Sequence, residues 1–157
     1  MTKASIDRID PTDMGTIAHV YNHIFRPGRT EEEIRRRMRG RIGILALVAR
    51  VERDAVGFYV GMELKPSIHF AWMVGVVNDL RRTGVATQLM SYAEDWATTE
   101  GYRSMRFECD NRIRPMLHFG IAAAYDVVGI RWDPDRLTNL IIFEKTLAEA
   151  RDAGDSL

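Results

Sequence analysis

Cysteine is nearly missing from this sequence: Cys109 is the one thiol in 157 residues. No internal disulfide can form, and a reducing, cytoplasmic setting is the expectation. Long apolar runs are missing too. Those present, such as Ile44–Ala49 and Ala71–Val77, fall far short of the ~20 residues that span a bilayer, so a membrane role is not expected. The N-terminal "MTKASIDRIDP" carries Asp7, Arg8 and Asp10 where an export signal has its apolar centre, which argues against secretion. Charge of one sign is not in excess. With 22 basic residues against 22 acidic ones, a general affinity for nucleic acid or membrane surfaces is not expected. No repeat, low-complexity tract or Gly/Ser/Pro linker divides the chain, so residues 1–157 read as one domain with a tail frayed from about residue 148.

What is present is a mixture of two periodicities. "KASIDRID" alternates loosely and ends at Asp10-Pro11, read as the cap and first residue of a helix over about Thr12–Phe25. Met14, Ile17, Val20, Tyr21 and Ile24 would form its apolar face. After the breaker "RPGR", Thr30-Glu31-Glu32-Glu33 reads as a capping box opening a second helix. In that helix Glu31, Glu32 and Glu33 stand four residues before Arg35, Arg36 and Arg37, giving forward charge pairs. "GILALVARVE", the turn Arg53-Asp54-Ala55, "VGFYVGMELK", the turn Pro66-Ser67 and "IHFAWMVGVV" read as three strands of a meander.

A third helix is expected over about Val85–Glu100, with Leu89, Tyr92, Ala93 and Trp96 at helical spacing and Gly101 as its stop. "YRSMRFECD" is a strand with Met105, Phe107 and Cys109 on one face, and "IRPMLHFGIAAAY" a short helix with Pro115 in its first turn. "DVVGIRWD" and "LTNLIIFEKTL" close the chain as strands. The order is β-α-α-β-β-β-α-β-α-β-β, an α/β (α+β mixed) domain with a mostly antiparallel sheet of about seven strands and about four helices.

Between a strand and the third helix lies "NDLRRTGVATQL", residues 78–89. A helix that starts straight after a strand presents unpaired N–H groups and the positive end of its dipole, which suits an anion such as phosphate. Gly84 allows close approach or a positive φ, Ala86 keeps the first turn narrow, and Arg81 and Arg82 add charge. The plainer reading is a tight turn flanked by solvated arginines.

This strand, turn and helix, "AWMVGVVNDLRRTGVATQLMSYAEDWATTEGY", resemble the acyl-CoA-binding motif of the GNAT acetyltransferase superfamily. "MRFECDNRIRPMLHFGIAAAYDVVG" is similar to the strand and Asn-initiated helix that follow it there. The resemblance covers most of residues 44–147; the first 43 match in element order alone. It implies acetyl-CoA as co-substrate, with the N–H groups of Arg82, Thr83, Gly84, Val85, Ala86 and Thr87 on the pyrophosphate. It further implies that Val74, Gly75 and Val76 pair with the pantetheine, that neighbouring strands splay apart beyond them, and that Val76 N–H or a neighbour polarises the thioester carbonyl. Asn111 would lie beside the pantetheine arm, and Phe25, Arg26 and Arg29 in one wall of the acceptor site.

The implied reaction is direct attack by an amine on the thioester. The family's tyrosine acid is displaced: counting from Asn111 puts His118 at its position, counting from Ala124-Tyr125 puts Gly120 there. His118 is either the proton donor or a partly buried helix residue, and Tyr125 is either the donor or a core aromatic in the place of phenylalanine. Glu108 and His69 are candidate bases. Cys109, on the apolar face of its strand, reads as a buried structural thiol, and His19 with His23 as an i, i+4 pair without a third ligand, so no metal is expected. The arginine-rich second helix reads as a solvated face. Two other functions stay open: an acyl-CoA-binding sensor or regulatory domain of the same fold, and an interaction domain using that helix. A homodimer is compatible with either enzyme or sensor.

Overall fold

The chain forms seven strands and four α-helices among the described residues, in the order expected. The computed structural model describes residues 1–147, so the tail expected to fray lies outside the described residues. The elements are β1 (Ser5–Ile9), α1 (Gly15–Ile24), α2 (Glu31–Met38), β2 (Leu45–Val51), β3 (Asp54–Lys65), β4 (Ile68–Val76), α3 (Val85–Thr99), β5 (Ser104–Asp110), α4 (Arg114–Ala122), β6 (Asp126–Asp133) and β7 (Thr138–Thr146). The sheet order is β1-β2-β3-β4-β5-β7-β6. The pairs β1/β2, β2/β3, β5/β7 and β6/β7 are antiparallel and β4/β5 is parallel, so the sheet is mixed and mostly antiparallel. Among the described residues no helix is long and apolar enough to cross a membrane.

Two compact units share the long elements: Met1–Glu63 with Trp72–Trp96, and Leu64–Ala71 with the described residues from Ala97 to Leu147. In the first, Leu45–Ala49 are fully buried on both faces of β2, which is why that stretch reads as an unbroken apolar run rather than an alternation. One face packs Ala46, Val48, Phe58, Val60 and Met62 against Met14, Ile17, Val20, Ile34 and Met38 of α1 and α2. Phe58 alone, fully buried, contributes on the order of 2–3 kcal/mol of apolar transfer. On the other face Leu89 of α3 reaches Gly57, where an added Cβ would lie 3.3 Å from Leu89 Cδ1.

In the second unit Phe107 of β5 stacks on Phe143 of β7 with ring centroids 4.9 Å apart, and Tyr125 meets Phe107 edge-on. Gly120 of α4 sits on this aromatic pair: a Cβ there would lie 2.9 Å from Phe143 Cε1 and 3.0 Å from Phe107 Cζ. The close seat of α4 therefore requires glycine at that position.

Local differences from expectation have physical reasons. Asp10 does not cap α1; its carboxylate accepts from Thr12 N–H and Oγ1 in a turn, and α1 begins at Gly15 after Met14, which has no side-chain cap. The β2–β3 hairpin closes as Val51 opposite Asp54 around Glu52-Arg53, with Glu52 at φ 59°, so Asp54 and Ala55 belong to the strand rather than the turn. The α2 capping box is present in both directions. Of the forward pairs, Glu31 meets Arg35, whereas Glu32 meets Arg39 and Glu33 serves the cap.

Candidate active site

The segment after β4 turns through Asn78–Leu80 and enters α3 at Val85. Leu80 N–H bonds Val77 O and Arg81 N–H bonds Asn78 O, which shapes the turn; Thr83 Oγ1 donates to Leu80 O at 2.6 Å and tightens it. Arg82 (φ 63°) and Gly84 (φ 92°) both take the left-handed conformation, Gly84 without the cost that a Cβ brings. Left-handed residues interleaved with ordinary ones turn successive N–H groups toward one concave side, a nest that fits an anion. The chain spends Gln88 N–H on Gly84 O, while the N–H groups of residues 82–87 donate to no acceptor among the described residues. Arg82, Thr83, Gly84 and Thr87, with Met1 and Thr2, line an open cavity of about 690 Å³.

Sequence reasoning missed one wall of that cavity. Thr2 N–H bonds Thr83 O, Ala4 N–H bonds Gln88 Oε1, and Gln88 Nε2 donates to Thr2 O and Gly84 O. The segment ahead of β1 is thereby pinned along the loop, and the Met1 side chain fills the space beside Gly84. Gln88 lies inside the helix expected over about Val85–Glu100, and nothing in its spacing marks it.

Just past the end of β4, Val77 N–H bonds Val56 O of β3, so by alternation the amide of Val76 points away from β3. Arg81 Nε lies 3.4 Å from Val76 O on that same side. Gly75 faces α1: a Cβ there would fall 2.9 Å from both the Phe25 and Phe58 rings. Trp72 also packs toward α1 and α2, three residues away, so β4 departs from strict alternation between Trp72 and Gly75. From Gly75 an aromatic row runs through Phe25 and Tyr21, with ring centroids 4.9 Å apart, to the guanidinium of Arg29, 5.5 Å from Tyr21 and 5.7 Å from Trp72. Arg29 is held at its backbone by both ends of the Asn22 amide. Arg26, expected in the same wall, turns back onto the carbonyls of Asn22 and Phe25 at the end of α1. There it satisfies a helix C-terminus, the place where a cation is favoured.

In the second unit β4 pairs with β5 over Ile68–Phe70 and Ser104–Arg106. Asn111 is exposed at the end of β5, with its N–H on Asn139 O. The turn around it is built by Asp110, another residue that sequence reasoning missed. Its Oδ1 accepts from Arg112 N–H, Arg112 Nε and Thr138 Oγ1, and its Oδ2 from Arg112 Nη2 at 3.0 Å. These bonds, the Arg112 side chain first, lower the Asp110 carboxyl to about 2. The Asp-x-Arg pattern was its one visible signal.

Glu108 is ion-paired with Arg131, with Nη2 2.7 Å from Oε2. His69 is fully buried against the Tyr102 ring. Tyr125 is buried between Phe107 and the ammonium of Lys145. His118, on α4, is exposed. Cys109 is buried, and burial with the neighbouring Asp110 charge pushes its thiol up to about 11. His23 Nδ1 lies 2.9 Å from His19 O, and among the described residues no cluster of three or more metal-ligating side chains occurs.

Architecture and loop together define an acyltransferase-type fold. The family model for the acetyltransferase (GNAT) family matches residues 15–119, and the chain belongs to that family, in which acetyl-CoA-dependent N-acetylation is the general reaction. No curated protein matches the sequence. Among solved structures the fold is similar to the ribosomal-protein-S18-alanine N-acetyltransferase of Escherichia coli (TM-score 0.78, 14% identity, 93% of this chain and 95% of that one). It is equally similar to an IAA acetyltransferase from Bacillus cereus (0.78, 17%, 92% and 100%). A GNAT acetyltransferase from Elizabethkingia anophelis with acetyl-CoA bound aligns at TM-score 0.73 with 14% identity, over 94% of this chain and 100% of that one. At these identities the likeness is one of fold.

Proposed function

We propose that the chain transfers an acetyl group from acetyl-CoA to a primary amine by direct attack in a ternary complex. The observation that carries this reading is the run of N–H groups over residues 82–87, free of acceptors among the described residues at the start of α3. Adjacent phosphates need several donors converging at once, and a nest joined to a helix N-terminus offers them. In this reading Arg82, Thr83, Gly84, Val85, Ala86 and Thr87 hold the pyrophosphate by their backbone, and Arg81 and Arg82 add positive charge. Val74, Gly75 and Val76 carry the pantetheine, the Val76 amide that points away from β3 polarises the thioester carbonyl, and Asn111 lines the arm. The acetyl-CoA-bound relative supports this donor.

Acetyl-CoA supplies the acyl group as an activated thioester. The amine nitrogen forms a bond to the acyl carbon, the carbon–sulfur bond breaks, the sulfur leaves with the electron pair, and the nitrogen gives up a proton. An alkylamine with pKa near ~10 is protonated at neutral pH, so a base or water chain must take a proton before attack. The candidate donors to the departing sulfur are His118, exposed on α4, and Tyr125, which is buried; Glu108, ion-paired with Arg131, is a candidate base. Phe25 and Arg29 form an acceptor wall.

The engagement of Glu108 and the burial of Tyr125 also favour a second reading, an acyl-CoA sensor with weak transfer. Thiol release from acetyl-CoA across a panel of amines, amino acids and peptides separates the two. Acceleration by an amine supports the enzyme; tight binding without acceleration by any of them would leave the sensor.

A further inference from the structure

The aromatic row beside Gly75 ends in two cations on one indole. Arg29 Cζ lies 5.7 Å and Arg37 Cζ 5.8 Å from the Trp72 ring centroid. Neither guanidinium has a carboxylate partner among the described residues, although on the same helix Arg35 and neighbouring Arg39 are paired with Glu31 and Glu32. A guanidinium over a ring face makes no hydrogen bond to it, so its N–H donors stay available to bind an anion bidentately. Arg29 is also preorganised, because Asn22 fixes its backbone and Tyr21 and Trp72 fix its head group. Two like charges gathered without a counter-ion repel each other, and an incoming anion relieves that repulsion.

We infer that the acceptor amine carries an anionic group, a carboxylate or phosphate, that docks on Arg29 and Arg37 beside Trp72. This rests on the acetyltransferase reading, which puts the reacting carbonyl at Val76. Four residues of strand separate Trp72 from Val76, at most roughly 13 Å at ~3.3 Å per residue. Allowing for the reach of the arginines and of the thioester, the amine and the anion lie roughly 8–12 Å apart on the acceptor. An α-amino acid, whose two groups are one carbon apart, is too short; a long ω-amino acid or a peptide whose terminal amine stands several bonds from an acidic group fits.

The test is a ladder of acceptors: glycine, 4-aminobutyrate, 6-aminohexanoate and 8-aminooctanoate, each beside its amide, with ω-aminoalkyl phosphates beside the matching amino alcohols to separate the two anions. Thiol release gives kcat/KM, and calorimetry gives acetyl-CoA affinity in parallel. The expected result is a preference for acid over amide that grows along the ladder to about tenfold or more, and that falls about tenfold in Arg37→Gln and in Arg29→Gln. Arg37 is exposed, so its variant keeps the test available if Arg29→Gln folds poorly. Turnover with equal kcat/KM for acids and amides at every length, or a preference that both variants retain, overturns the inference alone. Absence of acetyl-CoA binding, or of thiol release with every amine, overturns the underlying reading and the inference with it.

Discussion

Gly84→Asp perturbs the loop in two separable ways. Gly84 stands at φ 92°, beyond the usual left-handed well, so any Cβ there costs about 1–2 kcal/mol of stability. The same Cβ would meet Met1 Cγ at 2.7 Å, but Met1 is a flexible side chain that can swing aside, so the added packing cost is small. For a domain of this size that strain lowers Tm by roughly 2–8 °C. Aspartate also sets a negative charge among the N–H groups of residues 82–87. At about 5 Å and an effective dielectric near 20, each phosphate charge is opposed by roughly 3 kcal/mol, which exceeds a hundredfold in affinity. Gly84→Ala carries the strain without the charge. Calorimetric titration with acetyl-CoA beside thermal melts of both variants is the assay. Both should melt at similarly reduced temperatures, while Asp alone loses about a hundredfold or more in affinity. An Asp variant that binds within threefold of the parent would refute the assignment of this loop.

Three further outcomes are expected. Gly120→Ala forces a Cβ to within 3.0 Å of the Phe107 and Phe143 rings; overpacking of about 1–3 kcal/mol, offset by ~1 kcal/mol of helix propensity, leaves a net loss near 1 kcal/mol in denaturant unfolding. With its thiol at about 11, Cys109 should be only ~0.1% thiolate at pH 8, so alkylation by iodoacetamide in the native protein should be far slower than in denaturant, and equal rates would contradict its burial. Asp110, held near 2 against an ordinary 3.8, stabilises the fold above pH ~4 and loses that contribution as pH falls toward 2. Asp110→Asn should therefore be less stable than the parent at neutral pH, with the gap closing between pH 4 and 2.

The long periodic elements were legible in the sequence because each buries a face that its spacing declares, as in α1 and α3, and because Thr30 and Glu33 state their cap outright. The junctions were not. Asp10 and Pro11 satisfy the rules for a helix start equally well as for a turn, and only the position of Met14 in the core decides between them. Glu52 in a left-handed turn is invisible, since glutamate gives no signal for positive φ. In the site, Arg81 to Thr87 stood out because glycine and arginine cluster between a strand and a helix. Gln88 and Arg37 did not, because their partners lie 86 and 35 residues away in sequence; Asp110 showed only its spacing to Arg112, while Thr138 lies 28 residues away. The departure of β4 from alternation near Trp72 also escaped pattern reading, and it is what turns Trp72 toward the arginines.

The most direct test of the central claim is titration of the unmodified protein with acetyl-CoA, followed in the same samples by thiol release on addition of amine. Saturable one-to-one binding, weakened by Gly84→Asp and followed by amine-dependent release of CoA, is the predicted result. An absence of saturable binding would contradict the account at its base.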